Sequence, residues 1–299
     1  MASIQSTLLK FWIRRLSIFG NGKIDPQRLR TRNENAGSFA RAHRDVQVVE
    51  VTANGVHAEW LIPTGAPKDR VLLYIHGGAW FLGSTRIYRG FVSNFAFASG
   101  VRALTIDYRL APENPFPAGL DDCLSAYEWL LQSGIAADKI VVGGDSAGGN
   151  LALALLVALR DTGRPLPAAA VTLSPATDLA MTGKSSKTRL HLDPYFSNMV
   201  PNTIIPDYIT DHDPCNPLIS PLYADLHGLP PLLMHVGDHE MLLDDTLRFA
   251  SQARAAGVEV EMAVWPQMFH VFQMFAPFLP EARAANKQIA EFIKERLKG

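Results

Sequence analysis

The sequence predicts an α/β fold: a mostly parallel central sheet flanked by helices, with a helical cap over one edge. Three observations predict it. Short, continuously apolar runs such as Val71-Leu72-Leu73-Tyr74-Ile75 and Ile140-Val141-Val142 recur along the chain, the habit of strands buried on both faces. Segments with apolar residues near a 3.6-residue period lie between them. The two signals alternate from about residue 46 to the end, which argues for a doubly wound parallel sheet.

Composition bounds the rest. The chain has 299 residues and a formal charge of 28 − 29 = −1, with 47% hydrophobic and 19% charged residues. That balance excludes disordered, collagenous and low-complexity classes. A core of this size needs no disulfide staple or structural metal. A net charge near zero gives no reason to expect nucleic acid as a partner. Two cysteines, Cys123 and Cys215, are too few for a zinc site or a disulfide framework. Both read as reduced thiols, which suits a cytoplasmic protein, and Cys123 reads as a small buried apolar residue in a helix.

Taken in order, residues 4–19 read as an amphipathic helix docked on the body. Leu8, Leu9, Phe11, Trp12, Ile13, Leu16, Ile18 and Phe19 are apolar, but Lys10, Arg14 and Arg15 interrupt them and no small-residue cleavage site follows. No stretch approaches the ~18 uninterrupted apolar residues of a membrane span, so no stable membrane insertion is expected; peripheral contact is the alternative. Val46 to Val51 and Trp60-Leu61-Ile62 read as the first strands, followed by 71–75 and Ala103-Leu104-Thr105-Ile106. Leu120, Leu124, Tyr127, Leu130 and Leu131 mark a helix. Residues 149–161 are apolar nearly all round, which predicts a deeply buried helix. Strands at 170–173, 232–236 and 258–264 follow, and a helix with Ile289, Phe292, Ile293 and Leu297 closes the chain. Residues 178–216 break the rhythm with polar clusters, prolines, Tyr195, Phe196 and Tyr208. A long insertion of this kind is usually functional. Residues 1–45 and 178–216 are therefore assigned to the cap, and 46–177 with 217–299 to the sheet-bearing domain.

The chemistry is concentrated in two glycine-rich turns. Gly144-Asp145-Ser146-Ala147-Gly148 stands between a strand and the buried helix, which is the context that gives G-x-S-x-G its meaning. The turn is strained and closely packed, so glycines are needed, and Ser146 projects beside a helix N-terminus that favours developing negative charge. His76-Gly77-Gly78-Ala79-Trp80 follows strand 71–75. Such a loop supplies backbone donors to an oxyanion, and the amides of Gly77, Gly78 and Ala147 are expected to do so. His76 is read as shaping this loop rather than moving protons.

With these motifs the chain resembles the hormone-sensitive-lipase group (bacterial family IV) of α/β-hydrolase esterases. The other stretches that carry the resemblance are Asp107-Tyr108-Arg109-Leu110-Ala111-Pro112-Glu113, Phe116-Pro117-Ala118, Gly149-Asn150, Ser220-Pro221-Leu222-Tyr223-Ala224, and Gly228-Leu229-Pro230-Pro231 leading into Val236-Gly237. The likeness spans about residues 46–298. The family usually carries a third glycine where this chain has Ala79; the extra methyl would crowd bulky alcohol groups and leave the two glycine amides intact.

The resemblance implies an α/β-hydrolase fold and the chain order serine, acid, histidine. His43, His57 and His76 precede Ser146. His191, His212, His227, His235 and His239 would each need an acid much earlier in the chain. His270 follows the last expected strand, in a loop before the terminal helix, and is the expected general base. For the acid, the family's acid-x-Leu-x-Asp run places Leu242 and Asp244 so that Glu240 takes the acid position, with Asp238 and then Asp244 left as alternatives. Asp244 and Asp245 also suit a helix N-cap. Glu113 and Asp107 are read as structural.

The activity implied is hydrolysis of small, uncharged, short- to medium-chain acyl esters through an acyl-enzyme, with no cofactor or metal. Trp80, Phe81, Tyr195 and Phe196 are the expected substrate-binding residues. A lactonase, amidase or acyltransferase using the same triad is the alternative, and a non-catalytic receptor a remoter one. The resemblance also implies a homodimer through the last strand and terminal helix, although a core-facing stripe explains Ile289, Phe292 and Ile293 equally well.

Overall fold

Continuously apolar strands need cover on both faces, and the chain supplies it by running each one back through a helix. The computed structural model describes residues 3–15, 25–37, 40–197 and 205–298. Its eight strands are β1 (Val46–Ala53), β2 (Val56–Pro63), β3 (Val71–Ile75), β4 (Arg102–Ile106), β5 (Ile140–Asp145), β6 (Ala169–Leu173), β7 (Leu232–Gly237) and β8 (Val260–Trp265). They form one sheet in the order β1-β2-β4-β3-β5-β6-β7-β8. The hairpin β1–β2 is antiparallel, β2 also runs antiparallel to β4, and the other pairings are parallel. Asn54 and Gly55 make the hairpin turn with φ 47 and 91, the positive pair that Asn-Gly adopts at low cost. The last strand begins at Val260, two residues later than the apolar run suggests.

The helices are α1 (Ile4–Arg15), α2 (Pro26–Gly37), α3 (Thr85–Ser99), α4 (Ala118–Gln132), α5 (Ala147–Asp161), α6 (Ser185–Thr188), α7 (Ile205–Ile209), α8 (Leu243–Ala255) and α9 (Pro280–Arg296). The expectation for α5 holds: every residue from Ala147 to Leu159 is buried. Cys123 is buried in α4, and both cysteines are free. Helix α3 has no counterpart among the expected elements. Its ends carry sequence signals all the same: Ser84 accepts a capping hydrogen bond from the Ile87 amide at 3.3 Å, and Gly100 closes the helix at φ 68. Its buried residues Tyr88, Val92, Phe95, Ala96 and Ser99 also keep a helical spacing, so the helix was legible and went unread. Ile289, Phe292 and Ile293 on α9 are buried in the core layer with α3 and the sheet, so the stripe faces the core and offers nothing to a second subunit.

The described parts of the two segments expected to form a cap pack near the end of the sheet where the site residues emerge. Ile13 and Leu9 of α1 pack with Phe269 and Phe272, and Lys10 Nζ reaches His239 Nδ1 at 3.3 Å. Residues 16–19, expected to extend this helix, lie outside the described residues. Arg30 of α2 bonds the carbonyl of Phe81 at 2.7 Å and pairs with Glu113 at 2.8 Å, a structural use of Glu113 as expected. Tyr208 of α7 stacks on Trp80 at 4.5 Å. Among the described residues no helix is long and apolar enough to cross a membrane.

Because α5 is covered on all sides, truncating its middle opens a cavity. Leu155→Ala is expected to cost about 2–5 kcal/mol, read as a lower urea midpoint with an unchanged slope; a loss under about 0.5 kcal/mol, typical of surface sites, would contradict the burial.

Candidate active site

Parallel strands deliver their C-terminal ends to one edge, and ligand sites form in that crevice. β5 ends at Asp145, and the next residue, Ser146, sits at φ 54 and ψ −120 before α5 begins. Two close approaches hold this conformation. A β-carbon on Gly144 would collide with the carbonyl of Gly148, and one on Gly148 with the carbonyls of Ile75 and His76. The Ser146 amide is tied to the carbonyl of Leu173 at 2.8 Å. Asn150, one turn into α5, donates to the carbonyls of Ala176 and Ile219 at 2.7 and 2.8 Å, which fixes the helix behind the turn.

Asp145 does more than fill the variable place of the motif. Its buried carboxylate accepts from the hydroxyls of Tyr74 and Tyr88 at 3.0 and 2.8 Å and from the Gly77 amide at 3.1 Å. Burial pushes it up to about 6, against the pull of those donors and of His270. Sequence reasoning missed this role, since nothing local distinguishes an aspartate that ties two turns together from one that faces solvent.

The same contacts correct one expectation. The amide of Gly77 also donates to Tyr88 Oη at 3.1 Å, so it is spent inside the protein and is unavailable to an oxyanion. Gly77 is glycine because a β-carbon there would strike Asp145. The amides of Gly78, Ala79 and Ala147 have no partner among the described residues. Gly78 has φ 121 and Ala79 φ 54. Ala79 therefore holds a left-handed backbone that favours glycine, which accounts physically for the glycine usual at this place. His76, as expected, shapes the loop: its Nδ1 contacts the Gly77 carbonyl at 2.8 Å and its ring stacks on Tyr108 at 4.3 Å.

The imidazole of His270 stands in the loop after β8, and its Nδ1 meets Glu240 Oε2 at 2.9 Å. Glu240 is fully buried, and its other oxygen accepts from Ser174 Oγ at 2.8 Å and the Gly237 amide at 2.5 Å. Ser174, at φ 49 just past β6, is a second supporting residue absent from the sequence reading. The alternatives lie elsewhere. Asp238 accepts from the Gln267 amide at 2.5 Å. Asp244 accepts from the Ser185 amide at 2.9 Å, and Asp245 from the amides of Thr177 and Asp178 at 2.8 and 2.9 Å. These two aspartates do not cap α8, whose N-terminus has no side-chain cap; they tie it to the 178–216 segment. Burial raises Asp245 to about 8.

Burial works against a charge on His270, but the hydrogen bond and carboxylate of Glu240, with Asp193 and Asp145 behind them, outweigh it and lift the imidazole above its ordinary value. Carboxylate and imidazole atoms of Asp193, Glu240 and His270 all lie within 4.8 Å of one another. With Glu240 Oε2 and His270 Nδ1 bonded to each other, too few uncommitted donors remain for a cation, and the cluster is built to hold a proton.

Two cavities meet at Ser146. The larger, about 200 Å³, is lined by Gly78, Ser146, Tyr195, Phe196 and His270 among others. The smaller, about 80 Å³, is lined by Trp80, Leu179, Phe196 and Met241 with Ser146 and Ala79. Phe196 borders both and packs edge-on to His270 at 4.9 Å. Of the four aromatics expected to line the site, Phe81 lines neither cavity; it is buried with Leu82, Phe196 and Met241, and Arg30 of α2 bonds its carbonyl.

A sheet that presents a serine on such a turn, facing the same cavity as a carboxylate-held imidazole, defines an α/β hydrolase. Residues 72–274 match the family model described as the alpha/beta hydrolase fold. An acetyl-hydrolase of Streptomyces hygroscopicus is 41% identical over 277 residues, 92% of this chain and 91% of that protein. An esterase of Acinetobacter venetianus is 38% identical over 248 residues, 83% and 82% of the two chains. Among solved structures, an esterase from the bacterial hormone-sensitive lipase family is 43% identical, with a TM-score of 0.92 over 100% of both chains. Another, from a metagenome library and titled a hormone-sensitive lipase, is 35% identical, with a TM-score of 0.93 over 100% of both. The chain belongs to the α/β-hydrolase family, within its hormone-sensitive-lipase-like esterases.

Two outcomes are expected. A base must be neutral to accept a proton, so a raised His270 places the acidic limb of kcat/KM above the ordinary histidine value of 6.5, with activity lost as pH falls through it; a limb at or below that value, measured with a non-ionising ester, would contradict the carboxylate environment. Glu240→Gln is expected to lower kcat by roughly 10⁴-fold while Asp238→Asn leaves it near wild type, and the reverse pattern would reassign the acid.

Proposed function

We propose that the protein is a carboxylesterase that hydrolyses small, uncharged, short- to medium-chain acyl esters. The observation that carries this reading is that Ser146, on its strained turn, and His270, held by Glu240, open onto one cavity. His270 takes the proton of Ser146 Oγ as the oxygen attacks the ester carbonyl, and Glu240 keeps the imidazole oriented and stabilises its charge. The carbonyl oxygen becomes an oxyanion held by the unbonded amides of Gly78, Ala79 and Ala147. Removing one donor of this kind typically costs about 10²–10³ in rate. His270 then returns the proton to the departing alcohol. Water, deprotonated by the same base, attacks the acyl-Ser146 carbonyl and releases the acid.

The substrate class follows from the walls. Both cavities are mainly apolar, and volumes of about 80 and 200 Å³ suit modest acyl and alcohol groups better than long chains. A similar esterase, 39% identical with a TM-score of 0.93, was soaked with p-nitrophenyl butyrate. Residues 1–45 and 178–216 act in this reading as the cap that supplies Tyr195 and Phe196 to the site. Free Cys123 and Cys215 fit a cytoplasmic location. A homodimer is expected to use the unpaired edge of β8, the last strand of the sheet, since the apolar stripe of α9 is already buried.

An acyl-length series of p-nitrophenyl esters with wild type and Ser146→Ala tests this reading. Activity should peak between acetate and hexanoate and be lost in the folded variant, with a fluorophosphonate modifying Ser146 alone. Undiminished hydrolysis by Ser146→Ala would overturn it.

A further inference from the structure

We propose that Asp193, carried by the segment between β6 and β7, is a second carboxylate for His270, a positioning residue that sets the protonation equilibrium of the imidazole together with Glu240. The proposal, which rests on the esterase reading above, extends it to a residue outside the triad and outside the sheet-bearing domain.

The geometry points to this role. Asp193 is fully buried. Oδ1 accepts from the Tyr195 amide at 2.9 Å, the His270 amide also acts on the carboxylate, and Oδ2 has no hydrogen-bond partner among the described residues. A buried carboxyl with an unpaired oxygen is expensive, and an asparagine could accept from Tyr195 at lower cost. What an aspartate adds is negative charge, and one of its oxygens lies within 4.8 Å of a carboxylate oxygen of Glu240 and a ring nitrogen of His270. The residues that follow it, Tyr195 and Phe196, pack against the same imidazole, with ring centroids 6.5 and 4.9 Å away. The carboxylate and the aromatic wall of the site thus arrive on one short piece of chain.

The charged groups around the cluster come from four other elements. Glu240 follows β7, His270 follows β8, Asp145 ends β5, and Lys10 of α1 feels the charge of Asp193 from the outside. Burial is the largest influence on Asp193; Glu240 adds to it, His270 and the two backbone amides oppose it, and the carboxyl is held at about 7. His270 is lifted in turn, in part by Asp193. Each group shifts the other, so the two titrate as a pair. With Asp193 ionised the imidazole is a stronger base; with Asp193 protonated it is weaker and resists its own protonation. The 178–216 segment sets the working pH of the site through this contact.

Two measurements test it. In Asp193→Asn the acidic limb of kcat/KM should move down by about one pH unit and sharpen to a single-proton curve, with the thermal midpoint recorded as a control for folding. An unmoved limb in a folded, active variant overturns the proposal, whatever happens to kcat or stability. Independently of turnover, the His270 ring signal in isotope-labelled wild type, assigned by its loss in His270→Gln, should titrate in two coupled steps. A simple one-proton titration overturns the proposal even if Asp193→Asn does not fold. Absence of ester hydrolysis by wild type would instead count against the esterase reading and leave the ring titration to decide the role of Asp193.

Discussion

Ser146 occupies a backbone conformation, φ 54 and ψ −120, that an L residue keeps only when its surroundings over-determine it, at a cost of order 1–3 kcal/mol. The rest of the site depends on that constraint. Gly144 and Gly148 clear the space, the Leu173 carbonyl holds the amide, and the buried α5 supplies a rigid wall behind it. Ser146 thereby lines one cavity with Gly78 and His270, while the amide of Ala147 keeps no partner among the described residues. In the proposed mechanism, relaxing the turn would lose nucleophile and donor together.

Three buried carboxylates surround this turn and its imidazole, and each is managed differently. Asp145 is satisfied by two tyrosine hydroxyls and the Gly77 amide, and so welds the β3 loop to the β5 turn. Glu240 is fully bonded, by Ser174, Gly237 and His270. Asp193 keeps one oxygen without a hydrogen-bond partner among the described residues. In a medium of low effective dielectric such groups are felt strongly by one another. The raised affinity of His270 for its proton comes first from Glu240, by hydrogen bond and by charge, and Asp193 and Asp145 add to it.

Much of this was legible in the sequence, and the pattern of what was not is physical. The inner strands β3, β5, β6 and β7 announced themselves as apolar runs, and Ser146 as the centre of a motif set between strand and helix. His270 followed from chain order. Glu240 against Asp238 stayed open, since both lie within four residues of the end of β7 and local sequence does not say which way a side chain turns after Gly237. The donor set was misread at Gly77 for the same reason: an amide points where its backbone twists, and the β3 loop spends that amide on Asp145, 68 residues away. Phe81 read as a wall of the site, but its ring packs with Leu82, Phe196 and Met241 instead. Helix α3 went unread although Tyr88, Val92, Phe95 and Ala96 keep a helical spacing and Ser84 and Gly100 mark its limits.

The sequence by itself determined the fold class, the strained serine turn and the imidazole, because periodicity, glycine placement and chain order are local or one-dimensional properties. Only the tertiary structure decided which carboxylate the imidazole meets, which amides remain unbonded, and that Asp193 joins the cluster. Those outcomes depend on side chains and peptide planes brought together from strands far apart in the chain, where a rotation of one bond changes the partner and leaves no trace in the pattern of residues.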